Sequence, residues 1–216
     1  MSYVVNLVLE GRTAVVVGAG KVGLRKAEGL LQGGGRVTVV APSACPEVEA
    51  LAEASRLALC REAYRTAHLE GAFLAIAATD NGAVNAQVAE DARGLGVLVN
   101  VVDRPALCTF TLPATLRRGD LILAVATGGR CPTLASVLRE DLEARYGPEH
   151  GEALTLLAGL RERVMAAGWE SFRVRQALAS LYRAGLPELI VAGDQGAIRR
   201  LVTAFTGFHN RSSLIK

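Results

Sequence analysis

"TAVVVGAGKVGLRKAEGLLQ", Thr13 to Gln32, decides the fold. The valine run passes straight into Gly18-Ala19-Gly20-Lys21-Val22-Gly23, a G-x-G-x-x-G sequence, and from there into an amphipathic helical stretch halted by Gly33-Gly34-Gly35. Alone the glycine pattern is weak, but a strand before it and a helix after it supply the confirming context. Gly18 permits the tight turn and Gly20 lets backbone approach a pyrophosphate. Gly23 allows close packing of helix on strand, and the helix-terminal N–H groups hold the anion.

Outward from this unit, short apolar runs alternate with helical stretches. RVTVVAP is a second strand, closed by Pro42, and EVEALAEAS a short helix. RLALCREAY and AFLAIAATD are the third and fourth strands, GAVNAQVAEDARGLG a helix ending at Gly94 or Gly96, and VLVNVVD the fifth strand. Near-continuous Val/Ile/Leu/Ala runs suit strands buried on both faces of a parallel sheet. The alternation implies right-handed crossovers and a doubly wound, Rossmann-like α/β architecture.

The pattern changes after Asp103. TFTLPATLRRGDLILAVATGG reads as two strands, Thr109–Leu112 and Leu121–Ala126, joined by a turn at Arg118-Gly119-Asp120. Pro132 opens a helix that Gly147-Pro148 ends. Beyond it the chain is helical: Leu154, Leu157, Leu160 and Val164 share a face, and the pattern repeats around Leu178, Leu181 and Tyr182. Pro187 opens a further turn, Gly193 to Gly196 separates it from AIRRLVTAF, and the tail FHNRSSLIK is expected to be loose. The expected organisation is a nucleotide-binding domain over residues 1–113, a small α+β segment over 114–147 and a helical domain over 148–216.

Composition excludes several classes. Half of the 216 residues are hydrophobic, enough for one good core and a smaller second unit, and the net charge of +3 does not suggest a nucleic-acid binder. Up to Tyr146 there are 15 basic and 15 acidic residues, and beyond it 9 and 6, so the excess lies in the C-terminal third. That fits either a face for an anionic small molecule or a solvated helical surface. Cys45, Cys60, Cys108 and Cys131 show no C-x-x-C spacing, and His68, His150 and His209 are scattered, so no metal site is expected. With no signal peptide and no apolar run long enough to span a bilayer, the chain reads as a reduced, cytoplasmic protein without a membrane partner.

Three loops carry candidate chemistry. Ala41-Pro42-Ser43 stands where a ribose-binding acid usually follows the second strand; with no acid and no arginine there, NAD is favoured over NADP. Thr79-Asp80-Asn81 follows the fourth strand at the carboxyl edge of the sheet, and fits a ligand contact or a helix cap equally well. Asp103, at the end of the fifth strand, fits a general base accepting the proton left when a hydride departs, or the start of a turn before Arg104-Pro105.

The chain resembles the precorrin-2 dehydrogenase family, the siroheme-synthase N-terminal-type proteins, some of which are also sirohydrochlorin ferrochelatases. The resemblance rests on the glycine loop with R-K in its helix, A-T-D-x-x-x-V-N, N-V-V-D-x-P-x-x-C-x-F and T-G-G-x-x-P-x-L-A, in that order. It is close over about residues 3 to 146. It implies a homodimer that oxidises precorrin-2 to sirohydrochlorin with NAD⁺, with strands and helix after about Leu112 exchanged across the dimer and the C-terminal helices enclosing the tetrapyrrole.

On the same resemblance, Asp103 is the residue implicated in dehydrogenation and, in bifunctional members, in inserting substrate Fe²⁺. The cofactor positions map onto Lys21-Val22 and Pro42-Ser43. A substrate fringed with carboxylates calls for basic side chains, with Arg104, Arg117, Arg118, Arg130 and the C-terminal arginines as candidates. Thr127-Gly128-Gly129 before a helix fits either a carboxylate cradle or an ordinary glycine turn.

Ala126 and Cys131 stand where many relatives have serine, and Cys131 is the poorer helix cap. Cys108 and Cys131 are read as packing residues. No stretch resembles the methyltransferase domain fused in trifunctional relatives, so methylation of uroporphyrinogen III is expected from another protein. The competing reading is an NAD-sensing regulatory module without turnover. Such modules usually need the acid after the second strand and have no use for the Asp-x-Pro motif.

Overall fold

The computed structural model describes residues 3–207, so the tail from Phe208 onward lies outside the described residues. The chain divides into two compact units, the first ending at Leu112 and the second beginning at Pro113.

In the first unit, β1 (Thr13–Ala19), β2 (Arg36–Ala44), β3 (Ala58–Cys60), β4 (Leu74–Ala77) and β5 (Leu98–Val101) form one sheet in the order β3-β2-β1-β4-β5. Every pairing is parallel. Helices α1 (Lys21–Gln32), α2 (Pro46–Glu53) and α3 (Gly82–Gly94) connect the strands. The order of strands reverses between β1 and β4, which places the ligand-binding crevice of such sheets at their carboxyl ends.

The unbroken valine run now has its physical reason. Successive strand side chains point to opposite faces, and both faces are covered. Val16, Val39 and Ile76 pack with Ala27 and Leu30 of α1 and Val48 of α2. Val15, Val17, Ala75, Val99 and Val101 pack with Val88, Ala89 and Ala92 of α3.

Pro42 does not close β2 as expected. The strand runs on to Ala44, because the register shifts between Val17 and Ala19 and Ala19 pairs with Ala44, so no ladder bond is asked of the proline nitrogen. β3 is much shorter than RLALCREAY, since the chain turns into a 3-10 segment, Thr66–Leu69, before β4.

The second unit opens with an antiparallel hairpin, β6 (Ala114–Arg118) and β7 (Leu121–Val125), turning at Gly119-Asp120. The expected strand over Thr109–Leu112 is absent. Thr109 and Phe110 are instead tied to β5: both backbone amides donate to the Val99 carbonyl, at 2.8 and 3.4 Å, and the Thr109 hydroxyl accepts from Val99 N–H at 2.8 Å.

Then follow α4 (Pro132–Arg145), α5 (Pro148–Ala166), α6 (Ser171–Arg183), α7 (Leu186–Val191) and α8 (Gln195–Thr206). Leu160, Val164, Val174, Leu181, Leu186, Ile198 and Val202 make the core of the last four helices. Each such side chain contributes on the order of 1.5–3 kcal/mol when fully buried. Leu157 joins that core, while Leu154 is only half-buried and Ala153 takes the inward position. Tyr182 faces out and its hydroxyl meets His150 Nδ1 at 2.8 Å.

Candidate active site

The carboxyl edge of the five-stranded sheet is built from four connections. The first is the glycine loop. Gly18 has φ +109, and a Cβ there would collide with the Ala78 carbonyl, so β1 and the end of β4 come together only with glycine at this point. Gly23 is held as closely against the Gly18 carbonyl, which seats α1 on its own strand.

At Gly20, the N-cap of α1, an added Cβ would meet nothing within 4 Å. No side chain caps α1 and its first turn holds no acid. Its leading N–H groups therefore face open space, beside exposed Lys21 and Val22. This is the geometry that receives a pyrophosphate: donors, a favourable helix dipole and no side chain in the way. The residues present fit a dinucleotide.

The second connection follows β2, where Pro42 and Ser43 are exposed while Ala41 is buried. The third follows β4. Asn85, only 6% exposed, holds this loop: its Oδ1 accepts from the Thr79 hydroxyl at 2.7 Å and the Thr79 amide at 3.2 Å, and its Nδ2 donates to the Thr79 carbonyl at 2.9 Å. Asn81 caps α3, accepting from the amides of Ala83 and Val84. Asp80 is exposed, and among the described residues its carboxylate makes no hydrogen bond.

The fourth connection carries Asp103. The amide of Arg104 donates to the Val101 carbonyl at 3.2 Å, closing a turn in which Asp103 has φ +57. That is a position normally left to Gly or Asn. Asp tolerates it better than most side chains, yet left-handed backbone still costs on the order of 1–2 kcal/mol.

Two residues hold the turn. The Cys108 sulfur accepts from the Val101 amide at 3.2 Å and reaches the carbonyls of Val101 and Arg104, each at 3.4 Å. Asn100, 9% exposed, donates to the Phe110 carbonyl at 3.0 Å. The Asp103 carboxylate is exposed and, among the described residues, makes no hydrogen bond of its own.

Sequence reasoning missed Lys26, on the second turn of α1. Burial pulls its ammonium pKa down, Arg25 adds to this, and the Asp103 carboxylate opposes both. Lys26 thus lies within electrostatic reach of Asp103, which ties the glycine-loop helix to the end of β5. Asn85, Asn100 and Cys108 were missed as well. The signal lay in the motifs A-T-D-x-x-x-V-N, which ends on Asn85, and N-V-V-D-x-P-x-x-C, which begins on Asn100 and ends on Cys108. Arg104 lies over the start of α3, its Nη2 3.4 Å from where a Cβ on Gly82 would stand.

Thr127, Gly128, Gly129 and Arg130 belong to the second unit, between β7 and α4. The Arg130 amide donates to the Thr127 carbonyl at 3.2 Å, with φ +62 and +75 at the two glycines, a turn that demands glycine twice. The Thr127 hydroxyl donates to the Cys131 carbonyl at 3.1 Å, so its one proton serves the loop. Arg130 is exposed. Arg117 is exposed, whereas Arg118 is engaged by Glu143 and by the Tyr146 carbonyl.

A doubly wound sheet with an open glycine loop at its switch point defines a dinucleotide-binding protein of the Rossmann type. A family model described as "Putative NAD(P)-binding" matches residues 5–114, and the chain belongs to that family. It is similar to the siroheme synthase of Pseudomonas putida, with 39% identity over 196 residues, covering 91% of this chain and 42% of that protein. Siroheme synthase 1 of Aeromonas salmonicida matches at 37% over 194 residues, with 89% and 42% covered.

The chain therefore spans less than half the length of these curated relatives. Among solved structures it resembles SirC, a precorrin-2 dehydrogenase, with a TM-score of 0.76 and 26% identity, covering 96% of this chain and all of that one. The resemblance carried by the four motifs is borne out by these relatives. No helix among the described residues is long and apolar enough to cross a membrane.

Proposed function

We propose that this chain is an NAD-dependent precorrin-2 dehydrogenase, removing a hydride and a proton from precorrin-2 to give sirohydrochlorin, NADH and H⁺. The observation that carries the reading is Asp103. A carboxylate that makes no hydrogen bond among the described residues is held in left-handed backbone at the end of β5, on the sheet edge that bears the glycine loop and within electrostatic reach of Lys26.

When bound, NAD⁺ supplies the hydride acceptor. Gly18, Gly20, Lys21, Val22 and Gly23 hold its pyrophosphate, and Pro42, Ser43, Thr79 and Asp80 line the rest of its site. NAD rather than NADP follows from a β2 end without a basic side chain for a 2′-phosphate. Asp103 accepts the substrate proton, a role for which an exposed carboxylate without competing hydrogen bonds is suited. Lys26 steadies the carboxylate as its counter-charge. In the first unit Arg104, and in the second Arg130 and the amides of the Thr127-Gly128-Gly129 turn, are each proposed to receive substrate carboxylates.

The same aspartate serves metal insertion by accepting pyrrole protons as Fe²⁺ enters, and supplying sirohydrochlorin with Fe²⁺ and watching for siroheme tests that extension. We read the setting as cytoplasmic, in keeping with four free cysteines. We divide the chain into a nucleotide-binding domain over residues 1–113, a dimerisation segment over 114–147 and a helical domain over 148–216, of which the stretch from Phe208 lies outside the described residues.

The homodimer is supported by the surface of α4: Leu134, Val137 and Leu138 share one helix face and are 48%, 47% and 40% exposed. Val137→Glu should convert a dimer to a monomer in sedimentation.

The deciding experiment adds anaerobically prepared precorrin-2 and NAD⁺ and follows the nicotinamide absorbance. The wild-type chain should reduce NAD⁺, and Asp103→Asn should bind NAD yet not turn over. NAD binding without reduction in the wild type would instead favour a sensor.

A further inference from the structure

We infer that the connection leaving β3 holds a divalent transition-metal ion on Cys60, Glu62 and His68. One ligand atom from each of these side chains lies within 4.8 Å of the others, and among the described residues they form the one group of this kind. Cys60 ends β3 and Glu62 follows two residues on, at a bend in the chain, while Arg61 between them pairs with Glu49. The 3-10 turn Thr66–Leu69 then brings His68 back over both.

The distances are those a metal asks for. Cys60 Sγ and His68 Nε2 are 3.6 Å apart. Tetrahedral zinc with ordinary Zn–S and Zn–N lengths sets that separation at about 3.5 Å. His68 Nε2 to Glu62 Oε2 is 3.8 Å, so a small carboxylate movement closes the set. Arg65 is bonded to the same carboxylate oxygen, Oε2, that lies nearest His68, so ligation requires the carboxylate to turn Oε1 inward while Oε2 stays on Arg65 as an outer-sphere bond. The His68 side chain is 12% exposed and that of Glu62 49%, which leaves the fourth position to water.

A thiolate, an imidazole and a carboxylate select zinc, cobalt or ferrous iron over magnesium or calcium. In the metal-free chain the Arg65 amide donates to His68 Nδ1 at 3.0 Å, so the neutral ring carries its proton on Nε2, aimed at the thiol and the carboxylate. Loading releases the thiol proton to solvent and puts the ion where the Nε2 proton stood. The ring proton moves to Nδ1, which gives up the bond from the Arg65 amide.

Sequence spacing gave no warning of the site. C-x-E-x₅-H matches no metal pattern, and only the 3-10 turn closes it.

The test adds Co²⁺ without oxygen to the full chain and reads the thiolate-to-cobalt charge-transfer band, with the Arg65 amide followed by NMR. Expected are a band saturating at one equivalent and a shifted Arg65 amide. Cys60→Ser should lose the band, and Glu62→Gln and His68→Gln should each weaken binding by more than the roughly 10–100-fold that losing an outer-shell partner costs. Cys131→Ser, which alters the exposed cysteine, should keep both signals. No band in the wild type, or a band that survives Cys60→Ser, overturns the site. Glu62 is exposed, so its variant tests the proposal even if the partly buried Cys60 position proves intolerant.

Discussion

Asp103 carries two loads, a reactive carboxylate and a left-handed backbone, and substitution separates them. With φ +57, the residue pays about 1–2 kcal/mol for its conformation unless it is glycine. Glycine relieves that cost but gives back roughly 0.4–1 kcal/mol through the freedom it adds to the unfolded chain. Asp103→Gly should therefore be more stable than Asp103→Ala by about 0.8 kcal/mol, the centre of these ranges. At 2–4 °C per kcal/mol for a chain of this size, that is a Tm difference of about 2–3 °C. The carboxylate makes no hydrogen bond among the described residues, so neither variant loses a native one.

Activity should move the other way. Loss of a general base removes on the order of 10²–10⁴ in rate, so both variants should lose NADH formation from precorrin-2 while keeping NAD affinity. The assays are thermal unfolding, NAD titration and anaerobic turnover on the same preparations. Asp103→Gly melting below Asp103→Ala would refute the backbone argument. Turnover within about tenfold of the wild type would refute the base.

Gly20→Val should fold with at most the about 1 kcal/mol loss of an N-cap exchange, because its side chain enters open space, yet NAD titration should show binding abolished. Gly23→Ala should instead lower Tm markedly, since its methyl meets the Gly18 carbonyl. Lys26→Met should raise stability at neutral pH and lower turnover. The Lys26 pKa lies below 10.5 in the folded chain, so between the two values the unfolded chain binds more protons, and wild-type stability rises with pH through that window. Urea midpoints across it should rise in the wild type and lose that component in Lys26→Met. Asn100→Ala leaves the Phe110 carbonyl without its donor, at a cost of about 1–3 kcal/mol, and should slow turnover without weakening NAD. Cys108→Ser should retain most of both, as a hydroxyl can make the same bonds.

How much the sequence revealed depended on how local the physics was. The glycine loop was legible because strand, turn and helix are contiguous there, and the chemistry of each glycine is set by its immediate neighbours. The five strands were legible because double-faced burial demands apolar residues at every position, whatever the partners. The end of β2 was misjudged because a proline stops a strand only if its nitrogen is needed, and the bulge at Val17/Ala19 removes that need. Thr109–Leu112 reads as a strand in the sequence because alternation cannot distinguish a ladder from a segment bonded back to β5.

The sequence by itself determined the dinucleotide fold, the place of Asp103 at a strand end, and through its motifs the family. Tertiary structure alone decided that this aspartate sits in left-handed backbone, that Cys108 and Asn100 brace it, that Lys26 answers its charge, and that Cys60, Glu62 and His68 meet. The difference is physical. Burial and turn formation are written into neighbouring residues, whereas the positions of side chains many residues apart are fixed only when the strands pair and the loops close.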